Sequence, residues 1–253
     1  MAPGLCHSPQ SLANQPFHFE VPAFVLSFAA RKISFMQTAI KVILFVHVIF
    51  ATGALISGAL AILLKSNTPR HKPVGRIYFW CMTVVCVTAT FISIVKNLQF
   101  LFFIGIFTYY ATLIAYRALK LKNLHQGQKP HKIDWLIEII AGITFLGMVV
   151  FAIVAYNQSG TSQAIIPFVF GSIGVLGVYR NVSAFLKGPT ETMYWLKKHI
   201  GNMCGSYIGA ITAFTVNQSE HIPLNPIILW LGPTVIIVPV IVFELRKVKS
   251  KPL

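Results

Sequence analysis

This sequence predicts an all-α integral membrane protein, a bundle of seven transmembrane helices with its N-terminus outside and its C-terminus in the cytoplasm. Three observations carry that prediction. Of 253 residues, 55% are hydrophobic and 11% charged, against about 25% charged in soluble domains, so the chain lacks the polar surface to face water on every side. Seven apolar runs approach or exceed the roughly 20 residues that cross about 30 Å of hydrocarbon. The 21 Lys and Arg residues segregate when the connectors between those runs are assigned alternately to two sides.

The runs cover 39–64, 75–95, 98–118, 134–156, 163–181, 199–217 and 222–245. The first belongs to a segment opening at Met36, MQTAIKVILFVHVIF. Ahead of it, residues 1–35 contain four prolines and a patch, PAFVLSFAA, too short to span. They are expected to be a disordered tail or a misassigned start, with an interfacial helix as the alternative, leaving 36–253 as the seven-helix domain. The later runs are set off by the polar connectors SNTPRHKP, KN, KLKNLHQGQKPHK, NQSGTSQ, LKGPTETMYWLKK and NQSEHIPLNP.

One set of alternate connectors holds Lys65, Arg70, Lys72, Arg76, Arg117, Lys120, Lys122, Lys129, Lys132, Arg180, Lys187, Lys197, Lys198, Arg246, Lys247, Lys249 and Lys251. The other holds Arg31, Lys32, Lys41 and Lys96. Lys and Arg accumulate on the cytoplasmic side of membrane proteins, which orients the bundle. The net charge of +15 is therefore read as loops facing anionic lipid and not as a nucleic-acid surface. Cys6, Cys81, Cys86 and Cys204 show no metal-ligand spacing and imply neither disulfide nor metal.

Helix association in lipid relies on close backbone approach through small residues. Gly201, Gly205 and Gly209 form such a ridge on the sixth run, Gly171, Gly174 and Gly177 on the fifth, and Gly53, Ser57 and Gly58 on the first. The sixth is expected to be central. Lys197 and Lys198 hold its start at the cytoplasmic surface, and Tyr194 and Trp195 belong to the interfacial belt.

Ionisable groups within a span are costly and mark candidate function. Glu138 reads as the one carboxylate well inside a run. Arg117 closes the third run, with Tyr110 seven residues earlier on the same face; Arg180 closes the fifth; His199 opens the sixth; His71 and Arg76 open the second. All cluster at the cytoplasmic leaflet. Each arginine also suits a plain snorkelling collar. His199, Asn202, Met203, Ser206, Ala210, Ala213 and Asn217 share a face of the sixth helix too polar for lipid. His47, deep in the first run, fits a buried histidine bonded to helix backbone.

The blocks HKPVGRIYFW, FTYYATLIAYRALK, IDWLIEII and WLKKHIGNMCGSYIGAITAFTVN, in this order, resemble the bacterial multi-pass membrane proteins of the domain of unknown function 2306 family. The resemblance covers about Ile40 to Phe243. It implies the same helix count and a bacterial inner membrane, and it brings no activity or catalytic residue.

The expectation is a non-enzymatic carrier or sensor, with enzyme activity left open; no nucleotide loop, metalloprotease motif or nucleophile elbow is present. Its ligand is expected to be a small anionic or lipid-like molecule at the cytoplasmic leaflet. Arg76, Arg117 and Arg180 meet the anion, Tyr110, Asn202 and Ser206 line the pocket, and Glu138 and His199 set the proton state. No resident cofactor or metal is expected. An alternative is a b-type haem oxidoreductase with His71 and His199 on one iron. Another is a scaffold for a membrane-protein partner, supported only by the glycine ridges.

Overall fold

The computed structural model describes residues 23–159 and 161–248. Seven α-helices follow one another: α1 (Ala23–Leu63), α2 (Thr68–Val95), α3 (Gln99–Ala118), α4 (Lys132–Ser159), α5 (Thr161–Lys187), α6 (Tyr194–Asn217) and α7 (Pro226–Lys247). A 3₁₀ turn, Leu124–Gln126, interrupts the α3–α4 connection, and the described residues contain no strand.

The chain divides into two compact units, Met1–Lys41 and Val42–Leu253. In the first, the segment from Ala23 is helical, and Thr38 Oγ1 bonds back to the Ser34 carbonyl at 3.0 Å. Within the expected tail, Ala23 to Phe35 is helical; residues 1–22 lie outside the described residues.

In the second unit, most helices extend past the apolar runs that mark them. Hydropathy ends where lipid ends, whereas hydrogen bonding carries a helix on into the interface. α2 starts at Thr68 because the Asn67 side chain accepts from Arg70 N at 3.3 Å and a proline occupies the first turn, where its missing N–H costs nothing. α7 begins the same way, with Asn225 accepting from Ile227 N at 2.9 Å ahead of Pro226. Asp134 reaches back to the His131 N–H at 2.7 Å, the reciprocal half of a capping box, and starts α4. Between α2 and α3 the chain reverses through Asn97 at φ 53°, a left-handed conformation that Asn tolerates better than most residues. Gly188, at φ 73°, stops α5.

Six helical stretches have the length and apolar composition to cross a membrane: Ser34–Leu63, Thr68–Val95, Gln99–Ala118, Lys132–Gln158, Ala164–Lys187 and Pro226–Lys247. They are compatible with a multi-pass membrane protein. Their outer faces carry exposed large apolar side chains, among them Phe45, Ile56, Ile143, Val150, Val235 and Ile236, a surface that suits lipid and not water. The seventh helix, α6, is not apolar enough by composition. From Tyr194 to Thr212 it has no exposed residue, so its neighbours cover it.

α3 is the hub. It packs on α2, α4 and α6 and more lightly on α5; α4 and α5 pack most closely, and α6 leans on α7. Phe145 is fully buried and meets the rings of Phe107 and Tyr110 edge-on at 5.6 and 5.2 Å between centroids. Its position sets the α4–α5 contact. A Cβ on Gly174 would stand 2.5 Å from the Phe145 ring, and one on Gly171 would stand 3.2 Å from Val149 N. On α1, Gly58 makes room for the Tyr207 ring, whose hydroxyl donates to Leu55 O at 3.1 Å.

The α6 ridge differs from expectation. Gly209 presses on Thr108, where a Cβ would lie 2.7 Å from Oγ1, but Gly205 has nothing within 4 Å and Gly201 meets only Leu245 at 3.8 Å. The spacing of small residues shows where backbones can approach, not where they do. Overpacking a tight core contact costs about 1–3 kcal/mol. Gly171→Ala and Gly174→Ala are therefore expected to lower the thermal midpoint in detergent, whereas Gly205→Ala stays within about 0.5 kcal/mol of the parent. Equal losses at all three positions would contradict this packing.

Candidate functional site

Glu138 on α4 points into the bundle and is 2% exposed. Tyr110, from α3, donates its hydroxyl to Glu138 Oε2 at 2.8 Å. Asn181, from α5, donates Nδ2 to Glu138 Oε1 at 2.8 Å and to the Tyr110 hydroxyl at 2.8 Å. Three helices thus close a ring of hydrogen bonds around one carboxyl group. Buried polar groups need such partners, since an unpaired one keeps its full desolvation cost. Asn181 Oδ1 is left buried with no hydrogen-bond partner.

Above this ring lies a cavity of about 700 Å³, walled by α5, the 188–193 connection and α6. It exists because α5 packs on α4 while α6 packs on α3 and α7, so these two consecutive helices diverge. Tyr110, Asn181 and Asn202 line it together with Arg180, Lys187, Lys197 and Lys198; Glu191 is the one acid in its wall. Glu191 forms an ion pair with Lys197. Lys198 donates to the Tyr194 hydroxyl at 3.2 Å; Glu138 attracts it and Arg180 repels it. Tyr194 lines the cavity, and Lys122 covers the Trp195 ring at 4.7 Å.

Arg117 does not meet Glu138. It grips Asp134 as a fork, Nε to Oδ1 at 2.6 Å and a terminal nitrogen to Oδ2 at 2.9 Å, and the Asp134 side chain is 2% exposed. Asp134 is therefore a second buried acid, in the first turn of α4, one turn ahead of Glu138. The sequence signal was present. Residues 134 and 138 are four apart on one face of α4, the spacing of side chains that share an environment. Asn181 and Lys198 were missed as well, each hidden beside a residue that drew more attention, Arg180 and His199.

A second polar seam lies beside the cavity. Ser206 of α6, fully buried, bonds the Tyr78 hydroxyl of α2 at 2.8 Å and the Thr112 hydroxyl of α3. His199 Nδ1 donates to Ala115 O at 3.1 Å and His71 Nδ1 to Ala61 O at 2.9 Å, and the two rings stand 6.3 Å apart. His47 bonds the Thr88 hydroxyl of α2 at 2.9 Å and has the backbone of Val85 on the same helix as a second partner.

Of the residues singled out in the sequence, Tyr110, Arg180 and Asn202 meet at the cavity, with Glu138 bonded to Tyr110. His199 and Ser206 belong to the neighbouring seam, Arg117 is engaged by Asp134, and Arg76 is exposed on α2 away from the cavity. Among the described residues no group of three or more His, Cys, Asp or Glu is placed to hold a metal ion. Cys81, Cys86 and Cys204 are free thiols; Cys6 lies outside the described residues. A comparison with known protein families, curated proteins and solved structures finds no match.

Removing one partner of a buried ion pair strands the other, at about 3–5 kcal/mol. Arg117→Gln and Asp134→Asn are each expected to lose stability on that scale, with the double variant much milder than their sum. Arg117→Gln and Glu138→Gln should add, because they share no bond. Coupling between Arg117 and Glu138 in thermal unfolding, with none between Arg117 and Asp134, would overturn these pairings.

Proposed function

We propose that this is a bacterial inner-membrane protein of seven spans, N-terminus outside and C-terminus cytoplasmic, acting as a non-enzymatic carrier or sensor. Its ligand is a small anionic or lipid-like molecule bound in the α5–α6 cavity at the cytoplasmic leaflet. α6 is the seventh span: a helix enclosed by others needs no apolar face of its own. The orientation rests on the segregation of Lys and Arg, and the inner membrane on the resemblance to the domain of unknown function 2306 family.

One observation carries the ligand reading. Four cations and one acid wall a cavity of about 700 Å³, a size within the roughly 300–1,000 Å³ of small-molecule sites. Neither Arg180 nor Lys187 forms an ion pair with a described residue. Arg180 and Lys187 thus add like charge that no ion pair offsets, which costs energy unless an anion joins them.

Binding to the folded state raises stability by about 2.7 kcal/mol at a hundredfold excess over Kd. Thermal unfolding in detergent with inorganic phosphate, citrate or phosphatidylglycerol is expected to show such a rise for at least one of them, and Arg180→Glu with Lys187→Glu to abolish it. No rise with any anion, or a rise that survives the double reversal, contradicts the proposal.

The second reading, a b-type haem, draws on the juxtaposition of His71 and His199. Both Nδ1 atoms donate to backbone carbonyls, which leaves each Nε2 as the acceptor, the arrangement seen in metal-ligating histidine. Purified protein from haem-supplemented cells then shows a Soret band that His199→Ala removes. A colourless preparation contradicts this reading.

A further inference from the structure

One face of α5 changes character along its length. Ile173, Leu176, Arg180, Ser183 and Lys187 lie within an arc of about 80° at roughly 100° per residue. Ile173 and Leu176 are exposed apolar side chains. Arg180, Ser183 and Lys187 carry the same face into the cavity wall, and both cations are exposed. The face of α5 that lines the cavity is thus the one it turns outward. On α6, Tyr194, Lys198 and Asn202 line the cavity. Gly205 is next on their face, and a Cβ there would meet nothing within 4 Å.

The divide between α5 and α6 is filled at one end only. At the far end Phe170 of α5 meets the Trp230 ring of α7 at 6.3 Å, and Val216 of α6 packs on the same cluster. At the cavity end α7 leans on α6 instead, with Leu245 beside Gly201. The cavity walls come from α5, α6, their connection and Tyr110 of α3. Among the described residues, none closes the side opposite Tyr110. Arg180 lies seven residues inside the end of the apolar stretch Ala164–Lys187, about 10 Å of helix. An exposed cation at that depth is costly in hydrocarbon.

Resting on the ligand reading above, we propose that the occupant is an anionic glycerophospholipid of the surrounding leaflet. It enters sideways between α5 and α6, its phosphate against Arg180 and Lys187 and one acyl chain along Ile173 and Leu176. Arginine grips phosphoryl oxygens with a fork of donors, and its apolar stem lets the guanidinium rise toward Lys187. A soluble anion has to displace hydrocarbon at the depth of Arg180. A lipid phosphate arrives with its own chain already covering the apolar half of the stripe.

The test uses the full chain in phosphatidylcholine nanodiscs that carry a small fraction of phosphatidylglycerol with a diazirine on one acyl chain. After irradiation, adducts are mapped by peptide mass spectrometry. The ratio of adducts at residues 173–176 to those at the exposed pair Val235 and Ile236 of α7 is the readout. It is expected to be about tenfold higher than for phosphatidylcholine bearing the same diazirine, the preference that two cations give an anionic headgroup. Arg180→Gln with Lys187→Gln is expected to remove the excess; both side chains are exposed, so the fold does not rest on them. Equal ratios for the two lipids mean annular lipid only and overturn the proposal, as does an excess that survives the double substitution. Calorimetry with inorganic phosphate on the same nanodiscs separates this failure from that of the broader reading. Phosphate binding with equal ratios overturns the lipid and leaves the anionic-ligand reading standing; no phosphate binding with equal ratios overturns both.

Discussion

A carboxyl group inside an apolar bundle must find donors, and Glu138 finds them on two other helices. Tyr110 of α3 and Asn181 of α5 converge on it, so the end of α3 near Arg117, the start of α4 and the end of α5 are held in one register. Close packing of α5 on α4, through Gly171, Gly174 and the Phe145 ring, strengthens the same constraint. Once α5 is committed to α4, it cannot also follow α6. The cavity is the geometric consequence, and the carboxyl ring forms its floor.

α6 answers a complementary demand. It brings polar side chains into the interior, where all but Thr212 of the fully buried ones find partners. Ser206 meets Tyr78 and Thr112, Tyr207 meets the α1 backbone and His199 meets α3. These bonds tie α6 to single points on α1 and α2, while its length packs on α3 and α7 and not on α5. The cations at its start, Lys197 and Lys198, are then left facing Arg180 and Lys187 across the gap. A polar stripe on one helix and a buried carboxyl on another thus produce, between them, a cationic chamber.

Much of this was legible in the sequence, and the failures have a physical pattern. All seven helices appear where apolar runs mark them, because burial and lipid exposure both demand such runs. Tyr110, Arg180 and Asn202 were placed near one another by depth alone, since loops at one end of a bundle fix the depth of everything a turn or two inside it. Depth says nothing of azimuth. Arg117 and Glu138 share a depth, yet Arg117 meets the acid one turn earlier on α4, and Arg76 faces outward. Glycine spacing likewise marked Gly174 and Gly205 alike, although only the former has a neighbour pressed against it. Asn181 was invisible as a site residue. A neutral amide in an apolar run carries no charge signal, and its importance arises only from the carboxyl on another helix.

In the proposed orientation the cationic chamber between α5 and α6 faces the cytoplasm. Reaction of Asn202→Cys, in a background with the four native cysteines replaced, tests it directly. In inside-out membrane vesicles a membrane-impermeant thiosulfonate is expected to modify this cysteine, and the sulfonate-bearing reagent to react faster than the trimethylammonium one, with the difference shrinking at high salt. Modification only in right-side-out vesicles, or faster reaction with the cationic reagent, would contradict it.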